Sequence, residues 1–363
     1  VDKIRNNHFE LIDLLRAFAA LSVVVYHVIE HTGWQAFPYN GVLSVFRVGW
    51  IGVDLFFVIS GFVIGLSAYN AVERNGAWNF QSAFFKRRLL RIVPLYYFTL
   101  LVCIVFLQPN ALFGNFWPDL LTHILFIHNF FLPFHGSING SAWSLGTEMQ
   151  FYILMLLIAP LLVSRWNAQV LMLLLIITWA WRATVYLLVD TDTPYGVFPI
   201  FIAATQLPGM LDLFAIGLGL ALFAKSERFH QIHKKTSFRV TMTIVTLTLV
   251  LSSLHILRSN IAYWDDPWMV VFWRTLMGSA FGTLLLLAIS FELKSTPKLI
   301  FKPFLYLGTI SYGIYLWHLP VIISLKRVPN LSYEATLTTT LILTCILASA
   351  SWHLFEKPIM QRK

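Results

Sequence analysis

Residues 12–27, which lie in an apolar run over 11–31, read IDLLRAFAALSVVVYH and hold one arginine, Arg16, and one histidine, His27. About 20 apolar residues, rising 1.5 Å each as a helix, cover the hydrocarbon core of a bilayer, so this run is long enough to cross one. It is not the apolar region of a cleaved signal peptide, because Arg16 interrupts it and no small-residue cleavage site follows. Nine further runs follow, at 51–69, 92–108, 146–163, 168–189, 207–224, 240–257, 269–291, 304–324 and 335–355. Residues 117–133 are apolar too, but Asp119, His123, His128 and Asn129 break them up, as in an interfacial or re-entrant segment. The pattern predicts an all-α integral membrane protein of about ten transmembrane helices, with residues 1–363 forming one membrane domain.

Composition agrees. Of the 363 residues 58% are hydrophobic, 16% aromatic and only 12% charged, about half the charged share of a soluble domain. The mean hydropathy is +0.71. A soluble enzyme, a disordered chain and a disulfide scaffold are excluded. Cys103 and Cys345 each sit within an apolar run and read as small hydrophobes rather than as a bridge or a nucleophile. The net charge of +9 would suggest a nucleic-acid partner in a soluble protein. Here its distribution points elsewhere: 19 basic residues lie in the termini and the loops on their side, against Arg47, Arg258, Lys326 and Arg327 on the other. The positive-inside rule then places both termini in the cytoplasm, with no call for nucleic acid.

Charged side chains inside spans cost at least ~2.5–3.5 kcal/mol each on insertion scales, so each one needs a reason. Arg16 and His27 are close to three helical turns apart and share a face, ~16 Å apart along the axis. With the spans threaded alternately, His27, Asp54, Glu148 and His318 fall at one level in the outer half, on four different helices. A buried polar site is the expectation, with an ion-pair network of purely structural purpose as its rival. At the inner end, Arg87, Arg88 and Arg91 lie beside Lys86 in FFKRRLLRIVPLYYF (84–98). Such a run serves either as a topology anchor or, with Arg16, as a clamp for phosphate, whose oxygens Arg matches bidentately. Pro94 is expected in the first turns of that helix, where a missing N–H is tolerated. A phosphate-binding inner mouth joined to an outer histidine and carboxylates suits a donor with a phosphorylated head and a long thin arm. Acyl-coenzyme A has that shape. A histidine is a natural base for a sugar hydroxyl, and a carboxylate beside it would fix its tautomer and balance its imidazolium.

Five stretches, in order, carry a resemblance: IDLLRAFAALSVVVYH with its R-x10-H spacing, GVDLFFVISGF (52–62), RRLLRIVPLYY (87–97), SAWSLGTEMQFY (141–152) and SYGIYLWH (311–318). With them the chain resembles the acyltransferase-3 family of bacterial integral-membrane O-acyltransferases, in the form without a C-terminal SGNH esterase-like domain. The match covers most of the first 150 residues and the ninth span, while 160–300 matches by hydropathy alone. The resemblance implies transfer of an acetyl or short acyl group from cytoplasmic acetyl-CoA or another acyl-CoA to a hydroxyl of a glycan, glycolipid or similar acceptor. It places the protein in the bacterial inner membrane. Catalytic roles fall on His27, Glu148 and Asp54, with donor binding by Arg16, Arg87, Arg88 and Arg91. Ser144, Tyr152, Tyr312 and His318, within the matching stretches, support them. No metal and no permanently bound cofactor is expected, and transfer is expected to finish within the membrane domain. Acceptor specificity belongs to the loops 32–50, 109–145 and 190–206. A transporter of a lipid-linked sugar or acylated metabolite is the rival reading. It would carry inverted repeats with broken helices at matching positions, and neither is visible.

Overall fold

A backbone in hydrocarbon must satisfy its own N–H and C=O groups, which a single segment does only as a helix. A computed structural model of the chain describes residues 9–75, 81–107, 116–260, 262–291 and 295–361, and every regular element among them is helical. Of the basic residues in the charge bias, Lys3, Arg5, Lys294, Arg362 and Lys363 lie outside the described residues, as do 109–115 of the 109–145 loop.

In chain order the helices are α1 Glu10–Thr32, α2 Ile51–Asn75, α3 Gln81–Val102, α4 Phe116–Ile124, α5 Trp143–Leu162, α6 Asn167–Leu188, α7 Phe198–Ala204 and α8 Leu207–Lys225. They continue with α9 Glu227–Ile232, α10 Thr236–Ser259, α11 Arg274–Ile289, α12 Ser295–Thr309, α13 Ser311–Leu325, α14 Tyr333–Ser351 and α15 Lys357–Gln361. Three π-helical turns extend them: Cys103–Leu107 after α3, Met269–Trp273 before α11 and Trp352–Glu356 between α14 and α15. Among the described residues nine helices are long and apolar enough to cross a membrane, and α12 with α13 makes a tenth if the pair counts as one span. This is a multi-pass helical membrane protein.

Three sequence expectations are corrected. The ninth span, 304–324, is not continuous: α12 and α13 meet at 71°, with Ile310 at φ −92°, ψ 9° between them. The cause is tertiary, since a Cβ on Gly308 would lie 2.0 Å from the Asp13 carbonyl oxygen. The end of α12 is thus in backbone contact with α1. The third span runs from Phe85 to Leu107 rather than from 92, because Lys and Arg are good helix formers whose apolar stems extend the apolar run. Pro94 therefore sits inside α3 and not in its first turns. Residues 117–133 form α4, of nine residues, and a 3-10 turn at His128–Phe130. At ~14 Å, α4 is about half as long as a bilayer core is thick.

The chain divides into two compact units. The first comprises Val1–Ile12, Asp54–Phe84 and Thr147–Leu293. Within it α2 and α8 cross at backbone contact: a Cβ on Gly61 would lie 2.3 Å from Phe214 O, and one on Gly217 2.2 Å from Val58 O. Small residues at such crossings let membrane helices approach closely. The second unit comprises Asp13–Val53, Phe85–Gly146 and Lys294–Lys363. In it Val28 of α1 packs with Leu319 and Ile322 of α13, and Leu337 of α14 closes the cluster.

Candidate active site

In the second unit, α1 presents His27 to His318 of α13. His27 Nδ1 lies 3.0 Å from His318 Nε2, the ring centroids are 5.0 Å apart, and His318 Nδ1 lies 2.6 Å from Tyr315 O. With both rings neutral, these contacts fix the tautomers. A carbonyl oxygen only accepts, so His318 Nδ1 carries the proton; Nε2 of that neutral ring is then an acceptor. His27 Nδ1–H must therefore donate to it, which leaves the lone pair of neutral His27 on Nε2. That nitrogen is a base, with Glu30 Oε2 3.9 Å away. The His27 side chain keeps 20% of its surface exposed, whereas His318 is fully buried. One ring can meet a substrate and the other can only hold its neighbour.

The wall behind this pair is hydrogen-bonded throughout. Tyr315 Oη donates to Ser141 O at 2.9 Å and pairs with Ser144 Oγ at 2.7 Å. Asn139 Nδ2 donates to Leu316 O at 3.1 Å, and its Oδ1 accepts from Ser141 Oγ at 2.9 Å. Tyr312 Oη donates to Ile92 O at 2.7 Å, tying α13 to α3. Ser144, Tyr312 and His318, three of the residues singled out in the sequence, are thus gathered at α13. Tyr315, Asn139 and Ser141 were missed, although they stand in the quoted SYGIYLWH stretch and in NGSAWS (139–144). Glu30, one turn beyond His27, was missed as well.

At the other end of α1, Arg16 is half-buried, as are Arg88 and Arg91 of α3, while Arg87 is exposed. Arg16 and Arg91 share an electrostatic partner that the sequence reading lacked: Glu356, on the π-helical turn after α14. Glu356 is 3% exposed, and its Oε1 accepts no hydrogen bond. A third group of residues lines the α4 segment. His123 Nδ1 lies 3.0 Å from Asp119 Oδ1, the His123 and His128 rings stack at 4.0 Å and 11°, and His135 stacks on Trp143. Burial and the neighbouring His123 push the His135 imidazole down to about 4, and burial lowers His128 as well. Among the described residues no cluster of His, Cys, Asp or Glu is arranged to hold a metal ion.

In the first unit, Glu148 of α5 accepts hydrogen bonds from Ser60 Oγ of α2 and, at 2.7 Å, from Tyr152 Oη one turn along its own helix. Tyr152 was named in the sequence as a supporting residue; Ser60 was not named. Asp54 belongs to a buried charge network. Its Oδ1 accepts from Arg274 Nη1 at 3.2 Å, and both side chains are 5% exposed or less. Next to it Arg182 Nη2 donates to Asp212 Oδ1 at 2.9 Å, with Gly209 O and Val271 O taking further guanidinium protons. Thr275 Oγ1 donates to the other Asp212 oxygen at 2.5 Å. The segment 160–300, which the sequence left without site residues, thus supplies three of the four charges. The signal was the presence of Arg182, Asp212 and Arg274 inside apolar spans, where each charge needs a partner.

Comparison with known proteins bears on this geometry. Residues 9–354 match the family described as an acyltransferase domain. The chain is 28% identical over 372 residues to the putative peptidoglycan O-acetyltransferase YrhL of Bacillus subtilis, covering 96% of this chain and 54% of that protein. It is 27% identical to the peptidoglycan O-acetyltransferase OatA of Listeria monocytogenes, covering 96% and 55%. With O-acetyltransferase OatA of Staphylococcus aureus the identity is 26%, covering 97% and 57%. The chain therefore spans about half the length of these curated relatives. No solved structure matches it.

Proposed function

Since the chain belongs to the acyltransferase-3 family, we propose that it is a membrane O-acyltransferase that moves an acetyl or short acyl group from cytoplasmic acyl-CoA to a hydroxyl of a cell-envelope glycan or glycolipid. It works in the bacterial cytoplasmic membrane with both termini inside, residues 1–363 acting as one catalytic domain. The observation that carries this reading is the His27–His318 pair, which leaves Nε2 of His27 unprotonated and the ring partly open.

Nε2 of His27 takes the proton of the acceptor hydroxyl as its oxygen attacks the thioester carbonyl carbon. The C–S bond breaks, the thiolate leaves, and the imidazolium returns the proton to it, giving CoA-SH and the ester. His318 holds the imidazole in the basic tautomer throughout, and Glu30 offsets the charge that develops on it. Arg16, Arg87, Arg88 and Arg91 bind the donor phosphates by charge-assisted bonds. Glu148, with Ser60 and Tyr152, handles the acceptor, and Asp54 is held in place by its pairing with Arg274. A transporter would need a second broken helix matching the α12–α13 bend, and the bent pair is single among the described residues.

The test is transfer of label from acetyl-CoA to a cell-envelope glycan fraction by the purified protein. The wild type transfers label, and His27→Ala loses about 10²–10⁴-fold, the usual worth of a general base. Activity of His27→Ala within a few-fold of wild type would remove His27 from the mechanism.

A further inference from the structure

A cleft of about 540 Å³ opens in the second unit between α3 with its π-helical turn, α13, and α14 with its own π-helical turn. Both turns line it, Phe106 and Leu107 from the first and Leu354 and Phe355 from the second. Such turns commonly mark functional positions, because the extra residue re-aims the side chains around it. The chemistry of the walls selects the occupant. Two hydroxyls lie in them, and both are satisfied inside the wall: Ser351 Oγ accepts from Trp317 Nε1 at 2.8 Å, and Ser324 Oγ donates to Pro320 O at 2.8 Å. A sugar or a nucleotide would find no partners here, whereas a hydrocarbon chain needs none.

One end of the cleft is charged. Arg327 Nη2 donates to Leu107 O at 2.5 Å, which holds its guanidinium against the wall, and the exposed Lys326 stands beside it in sequence. No acid follows them before Glu334. We propose that the cleft is the seat of an anionic, phosphate-headed bilayer lipid, one hydrocarbon chain lying along Trp317 and Leu347 and the phosphate meeting Arg327 and Lys326. The charged end points to a use. The charge of Lys326 is felt at His31, and the His31 ring centroid is 6.0 Å from that of His27. A lipid seated this way brings the hydroxyls of its headgroup to the end of α1 where His27 lies, and in that respect the inference rests on the acyltransferase reading.

The probe is phosphatidylglycerol with a photoreactive diazirine in its acyl chain, mixed into phosphatidylcholine nanodiscs holding the full chain. Peptide mapping should find label on 317–325 and 343–355 at several-fold the level on the exposed face of α10 around Leu247 and Leu251. Ala350→Trp, which fills the cleft, should bring that label down to the α10 level. Leu343→Trp at the rim does the same work should the first variant fail to fold. Lys326→Gln should weaken labelling by the anionic probe about five-fold, the worth of one cation near a membrane surface, and leave the matching phosphatidylcholine probe unchanged. Label no higher than on α10, label indifferent to both tryptophan variants, or equal label from the two probes overturns the proposal. The same pattern in His27→Ala keeps the lipid seat even if the assignment of the base fails, so the two readings fall separately.

Discussion

In the proposed mechanism His318, whose lone pair faces His27 and whose ring is buried, holds the tautomer of His27 rather than acting as the base. Removing it should therefore cost less than removing His27. One net hydrogen bond is worth about 0.5–1.5 kcal/mol, so His318→Ala should slow turnover roughly 2- to 13-fold with donor affinity unchanged. His318→Gln, whose amide oxygen can still accept from Nδ1–H, should recover part of that. Equal losses in the Ala and Gln variants would reduce His318 to packing. At this scale the site was half legible. Arg16 and His27 could be read from their spacing on one helix, because helical periodicity is local. The tautomer could not, because it depends on Tyr315 O and on a ring 291 positions away. The sequence suggested a carboxylate beside His27 to fix its tautomer; the group beside its Nδ1 is the His318 ring, while Glu148 accepts from Ser60 and Tyr152.

Among the elements, α3 separates anchor from clamp. Arg88 and Arg91 are three residues apart and half-buried, and Arg91 shares Glu356 with Arg16 of α1. An anchor needs only positive charge, whereas a clamp needs guanidinium geometry. Arg88→Ala and Arg91→Ala should each weaken acyl-CoA binding about 10- to 150-fold, from roughly 1.5–3 kcal/mol per charge-assisted bond. The lysine replacements should rescue this only in part. Titration calorimetry with a non-hydrolysable acyl-CoA decides it, and unchanged affinity in both alanine variants returns the run to an anchor. The α4 segment makes a different prediction. His135 and His128 are held neutral by burial, with His135 pushed down to about 4, while an unfolded histidine titrates near 6.5. The unfolded chain then binds more protons between those values, so stability is full above about pH 6.5 and is lost as pH falls toward 4. Thermal unfolding in detergent should show a lower midpoint at pH 5 than at pH 7.5, and His135→Gln should shrink the difference. An unchanged pH slope in that variant would remove His135 as its source.

For the molecule as a whole, hydropathy made the spans legible because the bilayer imposes length and composition on every crossing. It was silent on the break at Ile310, since the residues on both sides are equally apolar and the cause is the Asp13 backbone. It was silent too on which acid meets which arginine, because partners such as Asp54 and Arg274 lie 220 positions apart. That network predicts where the first unit is most fragile. Removing one partner of a buried ion pair leaves the other uncompensated, at about 3–5 kcal/mol. Arg274→Ala should lower the unfolding midpoint and the yield of folded protein, and Asp54→Ala with Arg274→Ala should lower them less than additively. Strict additivity would mean that the two charges do not act as a pair. The same pair fixes an order of events during synthesis. Asp54 leaves the ribosome with the second span, and Arg274 follows only with the eighth. The acid waits 220 positions for the guanidinium it pairs with. The early helices must meanwhile stay in contact with water or with the insertion machinery, and the first unit can close only once the eighth span has been made.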